Sequence, residues 1–256
     1  MIVLLDVGNS RLKLGWFHAS LGRESAVHAI ALNPLAQLPE RLRKWLATLP
    51  VQPRAAMGVN VAGSVVADML TEVFREASCP LSWNASATRQ LDVHNGYDKP
   101  EQLGADRWAA LLGLAGHFPK VHPPLVLATF GTATTIDTLS PEKRFEGGLI
   151  LPGPALMRQS LAQGTANLPL ASGAGSDYPT HTLQAISTGV VAAQTGAVWR
   201  QCEITHRRFG LAPILCVSGG GWPEVEPEIR RMLASLEIKF IAHPVLDGLA
   251  RVLQSA

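Results

Sequence analysis

The sequence predicts an α/β fold assembled from two copies of one unit, and two stretches carry that expectation. The first is residues 1–17, read as a β-hairpin. Met1–Leu5 is a continuous apolar run, Asp6-Val7-Gly8-Asn9-Ser10 has turn chemistry, and Leu12, Leu14 and Trp16 alternate with Arg11, Lys13 and Gly15. The second is Leu125–Leu139, again an apolar strand, a glycine turn and an alternating strand, so that Asp6-Val-Gly-Asn-Ser aligns with Thr129-Phe-Gly-Thr-Ala. Two such hairpins half a chain apart indicate a duplicated fold whose halves face a cleft, each offering one phosphate loop.

The chemistry of the first turn supports that use. Gly8 lets a ligand approach the backbone, the amides of Asn9 and Ser10 can face an anion, and Asp6 at the strand end can hold Mg²⁺, directly or through water. Lys13 adds a point charge for a phosphate. In the second turn, Gly131, Thr132 and Thr134 offer amides and hydroxyls to the same kind of ligand. An ordinary tight hairpin with a solvated Asp and Lys would read the same way, and the second copy is what favours phosphate.

Length and composition set the limits. At 256 residues, 47% hydrophobic and 16% charged, the chain can bury a large core in one or two packed domains. It carries no apolar run of the roughly 18–20 residues a membrane span needs, and it opens directly on a strand, so a cytoplasmic location is expected. The three cysteines, Cys79, Cys202 and Cys216, are widely spaced and read as small packed residues without disulfide or zinc roles. A formal charge of +2 without a basic, aromatic-studded patch argues against a nucleic-acid partner.

Further along, Arg23–Ala31 reads as a third strand, Pro39–Leu49 as an amphipathic helix, and Ala55–Ala62 as a buried strand. Ser64 is the expected N-cap of a helix over Val65–Ala77. Asp92–Gly104 is a polar loop with one aromatic, Tyr97, and Asn95-Gly96, Asp98 and Pro100 as turn signals. Gly104-Ala105-Asp106-Arg107 opens a helix through Ala115, which puts Asp106 in its first turn, where the helix dipole favours a carboxylate. That placement needs no function. A general base for a substrate hydroxyl and an arginine fork for a carboxylate or carbonyl would use the same two residues.

Pro119, Pro123 and Pro124 mark a domain boundary, giving an N-terminal domain 1–118 and a C-terminal domain 119–256. After the second hairpin, Gly147–Gly153 is a strand ending in a Pro-Gly turn, Pro154–Ala162 a helix and Gly164–Tyr178 a long loop. Ala185–Trp199 reads as a long helix with small residues and one polar side chain, Thr188, near its start. Ile214–Ser218 is a buried strand that runs into the turn Gly219-Gly220-Gly221, and Pro223–Leu236 is a helix.

Four motifs stand in register: Asp6-Val-Gly-Asn-Ser10, Gly104-Ala-Asp-Arg107, Gly131-Thr-Ala-Thr-Thr135 and Gly147-Gly-Leu-Ile-Leu-Pro-Gly153. In order and spacing they resemble type III pantothenate kinases, within the acetate and sugar kinase/actin superfamily, from Met1 to about Gly248. The resemblance implies a duplicated ribonuclease H-like, actin-like ATPase fold with two domains facing a cleft. It implies a kinase that moves the γ-phosphate of ATP to the 4′-hydroxyl of pantothenate, with Mg²⁺, in the first step of coenzyme A synthesis. By the same resemblance Asp106 is the base, Gly104, Arg107, Tyr97 and Thr188 meet the substrate, and Gly219 and Gly220 lie beside adenosine. A homodimer with its substrate pocket near the interface is implied as well.

Thr129 is a departure. Members of that family commonly carry Asp two residues before the glycine of the second hairpin, where it helps bind a monovalent cation such as K⁺ or NH₄⁺, and a neutral hydroxyl is expected to weaken that position. Two other readings stay open at this level: a nucleotide-binding regulatory or filament-like protein of the superfamily, and a kinase for another small alcohol such as a sugar.

Overall fold

The computed structural model describes residues 1–173 and 175–255. In chain order the elements are β1 (Ile2–Val7), β2 (Arg11–His18), β3 (Gly22–Arg23), β4 (His28–Ala31), α1 (Leu38–Leu46), β5 (Ala55–Asn60), α2 (Ser64–Glu76), β6 (Leu81–Trp83), β7 (Arg89–Gln90), β8 (Val93–Asn95) and α3 (Ala105–His117). They continue with β9 (Leu125–Phe130), β10 (Ala133–Leu139), β11 (Arg144–Pro152), α4 (Pro154–Gly164), α5 (Thr182–Phe209), β12 (Ile214–Ser218), α6 (Trp222–Met232), β13 (Ile238–Phe240) and α7 (Pro244–Gln254).

The chain divides into two compact units. One is Met1–Pro119 together with the stretch from His243 onward, and the other is Lys120–Ala242. The sequence division put everything after residue 118 in the second half, whereas α7 packs in the first unit. The reason lies in α3 and α7. A Cβ at Gly113 would come within 2.1 Å of Pro244 O, and one at Gly248 within 1.9 Å of Ala109 O. Only glycine at both positions lets the two backbones approach this closely.

Both units repeat one strand plan. In the first, β1 is antiparallel to β2 and parallel to β5, which is parallel to β6. In the second, β9 is antiparallel to β10 and parallel to β12, which is parallel to β13, and β11 extends the far side of β10. This is the duplicated ribonuclease H-like fold.

Strand alternation decides which face each residue serves. Val3, Leu5 and Val7 point into a core with Leu38, Leu42, Leu70 and Phe74 of α1 and α2. Leu4 points the other way, into a core with Ala109 of α3 and Leu246 and Leu249 of α7. Asp6 shares that second face with Leu4, so the α3 side of the sheet is where its carboxylate emerges. In the second unit Ala128, Phe130 and Ile136 pack against Val198 and Cys202 of α5 and Trp222, Val225 and Ile229 of α6.

Some local expectations need correction. Gly63, with φ +94°, is the N-cap of α2, and Ser64 is already helical. The expected strand over Arg23–Ala31 is split into β3 and β4, both of which pair with β2. The loop 92–104 contains β8 and a short 3-10 turn at Pro100–Gln102. Within the expected loop Gly164–Tyr178, Ala174 lies outside the described residues. All three cysteines are buried and free, and burial pushes the Cys202 and Cys216 thiols up to about 12.

Candidate active site

In the first unit the β1–β2 ladder sets Asp6 directly opposite Lys13, and Gly8 N–H closes the turn on Arg11 O at 3.1 Å. Lys13 Nζ lies 3.0 Å from Asp6 Oδ2. The Asp6 side chain is 8% exposed and that of Lys13 is 42% exposed, so the carboxylate is the buried partner and the ammonium the accessible one. Asn9 and Ser10 are exposed and border a hollow of about 360 Å³ with Leu32, Asn33 and Val66.

Asp106 stands in the first turn of α3, after the N-cap Gly104. Its Oδ1 accepts the Arg107 N–H at 2.7 Å, and a Cβ on residue 104 would sit 2.8 Å from that same oxygen. Burial raises the Asp106 carboxyl above the usual carboxylate range. The bond from Arg107 N–H works against this, and the negative charge of Asp6 adds to it. Two carboxylates of one unit therefore feel each other, one at a strand end and one at a helix start.

Arg107 is only 6% exposed. Among its contacts, Nη1 donates to Tyr97 Oη at 3.0 Å. Tyr97 reaches this position from a loop shaped by Asn95, whose Oδ1 accepts the Tyr97 N–H at 3.1 Å and whose Nδ2 donates to Pro100 O at 3.2 Å. A buried guanidinium joined to a half-exposed phenol forms a cationic clamp suited to a carboxylate or amide carbonyl.

In the second unit Gly131, Thr132 and Ala133 form an exposed turn, and two neighbours brace it. Gly153 N–H donates to Thr132 O at 2.9 Å, and Gly221 N–H donates to Phe130 O at 2.9 Å. Gly219 has φ +95°, and a Cβ there would meet Phe130 O at 2.3 Å, so the triple-glycine turn is fitted against the strand end that leads into the Gly131–Ala133 turn. Gly220 has open space where a Cβ would be.

Thr134 does not stand as expected. Its side chain is fully buried, on the β10 face shared with Ile136, and Oγ1 has no hydrogen-bond partner. The alternation that exposes Ala133 turns Thr134 inward, so its hydroxyl is not offered to a ligand. Thr188, on α5, is not satisfied by its own helix. Its Oγ1 accepts the Ser176 N–H at 3.0 Å and donates to Ser176 O at 3.3 Å. Thr129 is level with Thr135 on β10 and with Ser218 on β12, a row of hydroxyl residues with no formal charge.

Sequence reasoning missed the part played by Asn95. An Asn two residues before the residue whose N–H it accepts is an Asx-turn pattern, so the signal was present in Asn95-Gly96-Tyr97.

A family model described as type III pantothenate kinase matches residues 2–204. The chain belongs to the type III pantothenate kinase family. Among curated members, the type III pantothenate kinase of Bordetella pertussis is 48% identical, over 98% of this chain and 96% of the relative. That of Bordetella petrii is 49% identical over the same shares. Among solved structures, component A of (R)-2-hydroxyglutaryl-CoA dehydratase from Acidaminococcus fermentans aligns with a TM-score of 0.55 at 11% identity, covering 100% of this chain and 96% of that one. At that identity the likeness concerns the fold alone. In type III pantothenate kinase terms, the motifs at Asp6–Ser10, Gly104–Arg107, Gly131–Thr135 and Gly147–Gly153 all fall inside the matched range.

Proposed function

We propose that this ATP-dependent kinase transfers the γ-phosphate of ATP to the 4′-hydroxyl of pantothenate, with Asp106 as the general base. The observation that carries the reading is the first turn of α3, where a carboxylate held above its ordinary range adjoins a buried arginine that already grips a tyrosine hydroxyl. A base whose pKa is moved toward neutrality is a better proton acceptor in the transition state, provided it is still ionised at the working pH.

In the step itself the 4′-oxygen forms a bond to the γ-phosphorus, the bond from that phosphorus to the β,γ-bridging oxygen breaks, and ADP leaves. Asp106 takes the hydroxyl proton as the new bond forms. Arg107 and Tyr97 hold the pantothenate carboxylate or amide so that the hydroxyl is presented to Asp106. Lys13 and the amides of Asn9 and Ser10 hold phosphate oxygens in the first unit. In the second, the amides of Gly131 and Thr132 hold phosphate, while Gly219 and Gly220 leave bare backbone for adenosine. Mg²⁺ fits at Asp6, a nearly buried carboxylate at a strand end close to a second carboxylate, and when bound it neutralises triphosphate charge.

We also propose a homodimer acting in the cytoplasm. An apolar hollow of about 710 Å³ lies between α4, α5 and the segment joining them, lined by Met157, Leu161, Leu168, Ile186 and Val190. Leu156, Leu183 and Trp199 stay exposed on the same two helices. A second copy of this face is the natural cover, and Thr188 lies on the same helix. Free, buried thiols and the absence of a membrane-spanning helix among the described residues accord with a reducing, aqueous compartment.

The test is ADP release from Mg-ATP with pantothenate, with a panel of sugars, and with no acceptor. Release that depends on pantothenate is expected. Release with sugars only, or equal release without acceptor, overturns the proposal.

A further inference from the structure

We infer that Asn95 is a positioning residue for the acceptor substrate, tying Tyr97 to the entry of α3 so that the Tyr97–Arg107 clamp is set before substrate arrives. The inference rests on the reading that Tyr97 and Arg107 hold the acceptor.

Asn95 ends β8 and is 6% exposed. Its own N–H donates to Thr88 O at 2.9 Å, which fixes its backbone to the segment leading into β7. The side chain spans the loop. Oδ1 accepts from Tyr97 N at 3.1 Å, and Nδ2 donates to Pro100 O at 3.2 Å. Pro100 O is itself a junction, accepting also from Ser86 Oγ at 2.5 Å and from Leu103 N at 3.2 Å. Leu103 is buried and immediately precedes Gly104, the N-cap of α3. One amide therefore connects the residue carrying the phenol to the turn that launches Asp106 and Arg107.

The loop needs such a tie. Gly96 follows Asn95 with no side-chain constraint, and Asp98 and Lys99 are exposed. Tyr97 Oη must nevertheless stand 3.0 Å from Arg107 Nη1. The arrangement requires one acceptor and one donor on the same short side chain, which Asn supplies and Asp does not. A preformed clamp lowers the ordering cost of binding, so its loss weakens acceptor binding while the proton transfer at Asp106 proceeds.

The experiment is steady-state kinetics on the full-length enzyme with Asn95→Ala, Asn95→Asp, Tyr97→Ala and the double variant Asn95→Ala/Tyr97→Ala, with thermal melts to confirm folding. Losing both bonds of Asn95 is expected to raise the pantothenate KM by about tenfold, with kcat and the ATP KM within about twofold. Asn95→Asp keeps the Tyr97 bond and is expected to give a smaller rise of about threefold. Because Asn95 acts through Tyr97, the double variant should match Tyr97→Ala alone. Should Asn95→Ala fold poorly, Asn95→Asp decides, and an unchanged KM there overturns the inference. Effects that multiply in the double variant overturn it too, since they show Asn95 acting by another route. A Tyr97→Ala variant with unchanged pantothenate KM overturns the acceptor-site reading itself, and the inference with it.

Discussion

Lys13 and Asp6 face each other across the β1–β2 ladder and are joined by a 3.0 Å ion pair, with the carboxylate nearly buried and the ammonium half-exposed. In the protein alone, the carboxylate assigned to Mg²⁺ already has a cation. A divalent ion arriving without nucleotide must displace that ammonium, whereas Mg-ATP brings phosphate oxygens to receive it. Lys13→Met is therefore expected to bind free Mn²⁺, followed by its paramagnetic resonance signal, several-fold more tightly than the unmutated protein. It should also raise the KM for ATP by about tenfold, since a charge-assisted phosphate contact is lost. Weaker Mn²⁺ binding by the variant would show that Lys13 does not compete for Asp6.

Asp106→Asn keeps the shape of the first turn and removes proton acceptance, so turnover should fall by about 10²–10⁴ with ATP binding retained. The raised carboxyl also fixes the pH behaviour. With Asp106 as the base, activity needs its ionised form, so the acid limb of kcat/KM, which reports the free enzyme, should lie above the ordinary carboxylate value near 3.8.

The same shift has a stability consequence of definite sign. Where the folded pKa exceeds the unfolded one, the folded state binds the extra proton, so stability falls as pH rises from the unfolded value through the folded one. Asp106→Asn removes that cost and should raise Tm at neutral pH, an advantage that vanishes as the pH drops below the unfolded value. Equal melting temperatures for both proteins across pH 3–8 would contradict the raised carboxyl.

At the second hairpin, Thr129 lies in a row with Thr135 and Ser218 that carries no formal charge. Hard cations are selected by the number and charge of their oxygen ligands, so K⁺ or NH₄⁺ should stimulate this enzyme weakly, and Thr129→Asp should strengthen the response. A K⁺ titration at constant ionic strength, balanced with a bulky tetraalkylammonium salt, measures this. Saturating activation of the unmutated protein at low K⁺ would show the substitution to be without the effect assigned to it.

Gly248→Ala introduces a methyl 1.9 Å from Ala109 O, between backbones that cannot both stay in place. Separating α3 from α7 should cost about 1–3 kcal/mol, read as a lower midpoint of denaturant unfolding, and should disturb Asp106 at the head of the same helix. A variant as stable and active as the original would mean that the helix contact has no bearing on the site.

Much of this architecture is legible in the chain because local rules and global fold agree. The alternation of Leu12, Leu14 and Trp16 against Lys13 gives the hairpin, and Gly131 with its flanking strands gives the second. Other features depend on contacts remote in sequence. No local pattern shows that the helix after Pro244 belongs with residues 1–119, because its reason is the fit of Gly113 to Gly248. Thr134 reads as a phosphate ligand by composition, yet the register of β10 turns it inward. Tyr97 and Arg107 were each visible, while the bond between them depends on how the loop from Asn95 returns to the helix.

The place of α7 bears on how the protein is made. During synthesis the segment Lys120–Ala242 leaves the ribosome as one uninterrupted stretch that carries a core of its own. The earlier segment closes one core from its own residues and leaves a second open, because Leu4 and Ala109 meet Leu246 and Leu249 only when α7 emerges. A nascent chain stopped short of Pro244 therefore presents to chaperones and proteases an uncovered apolar face on the side of the sheet where α3 packs.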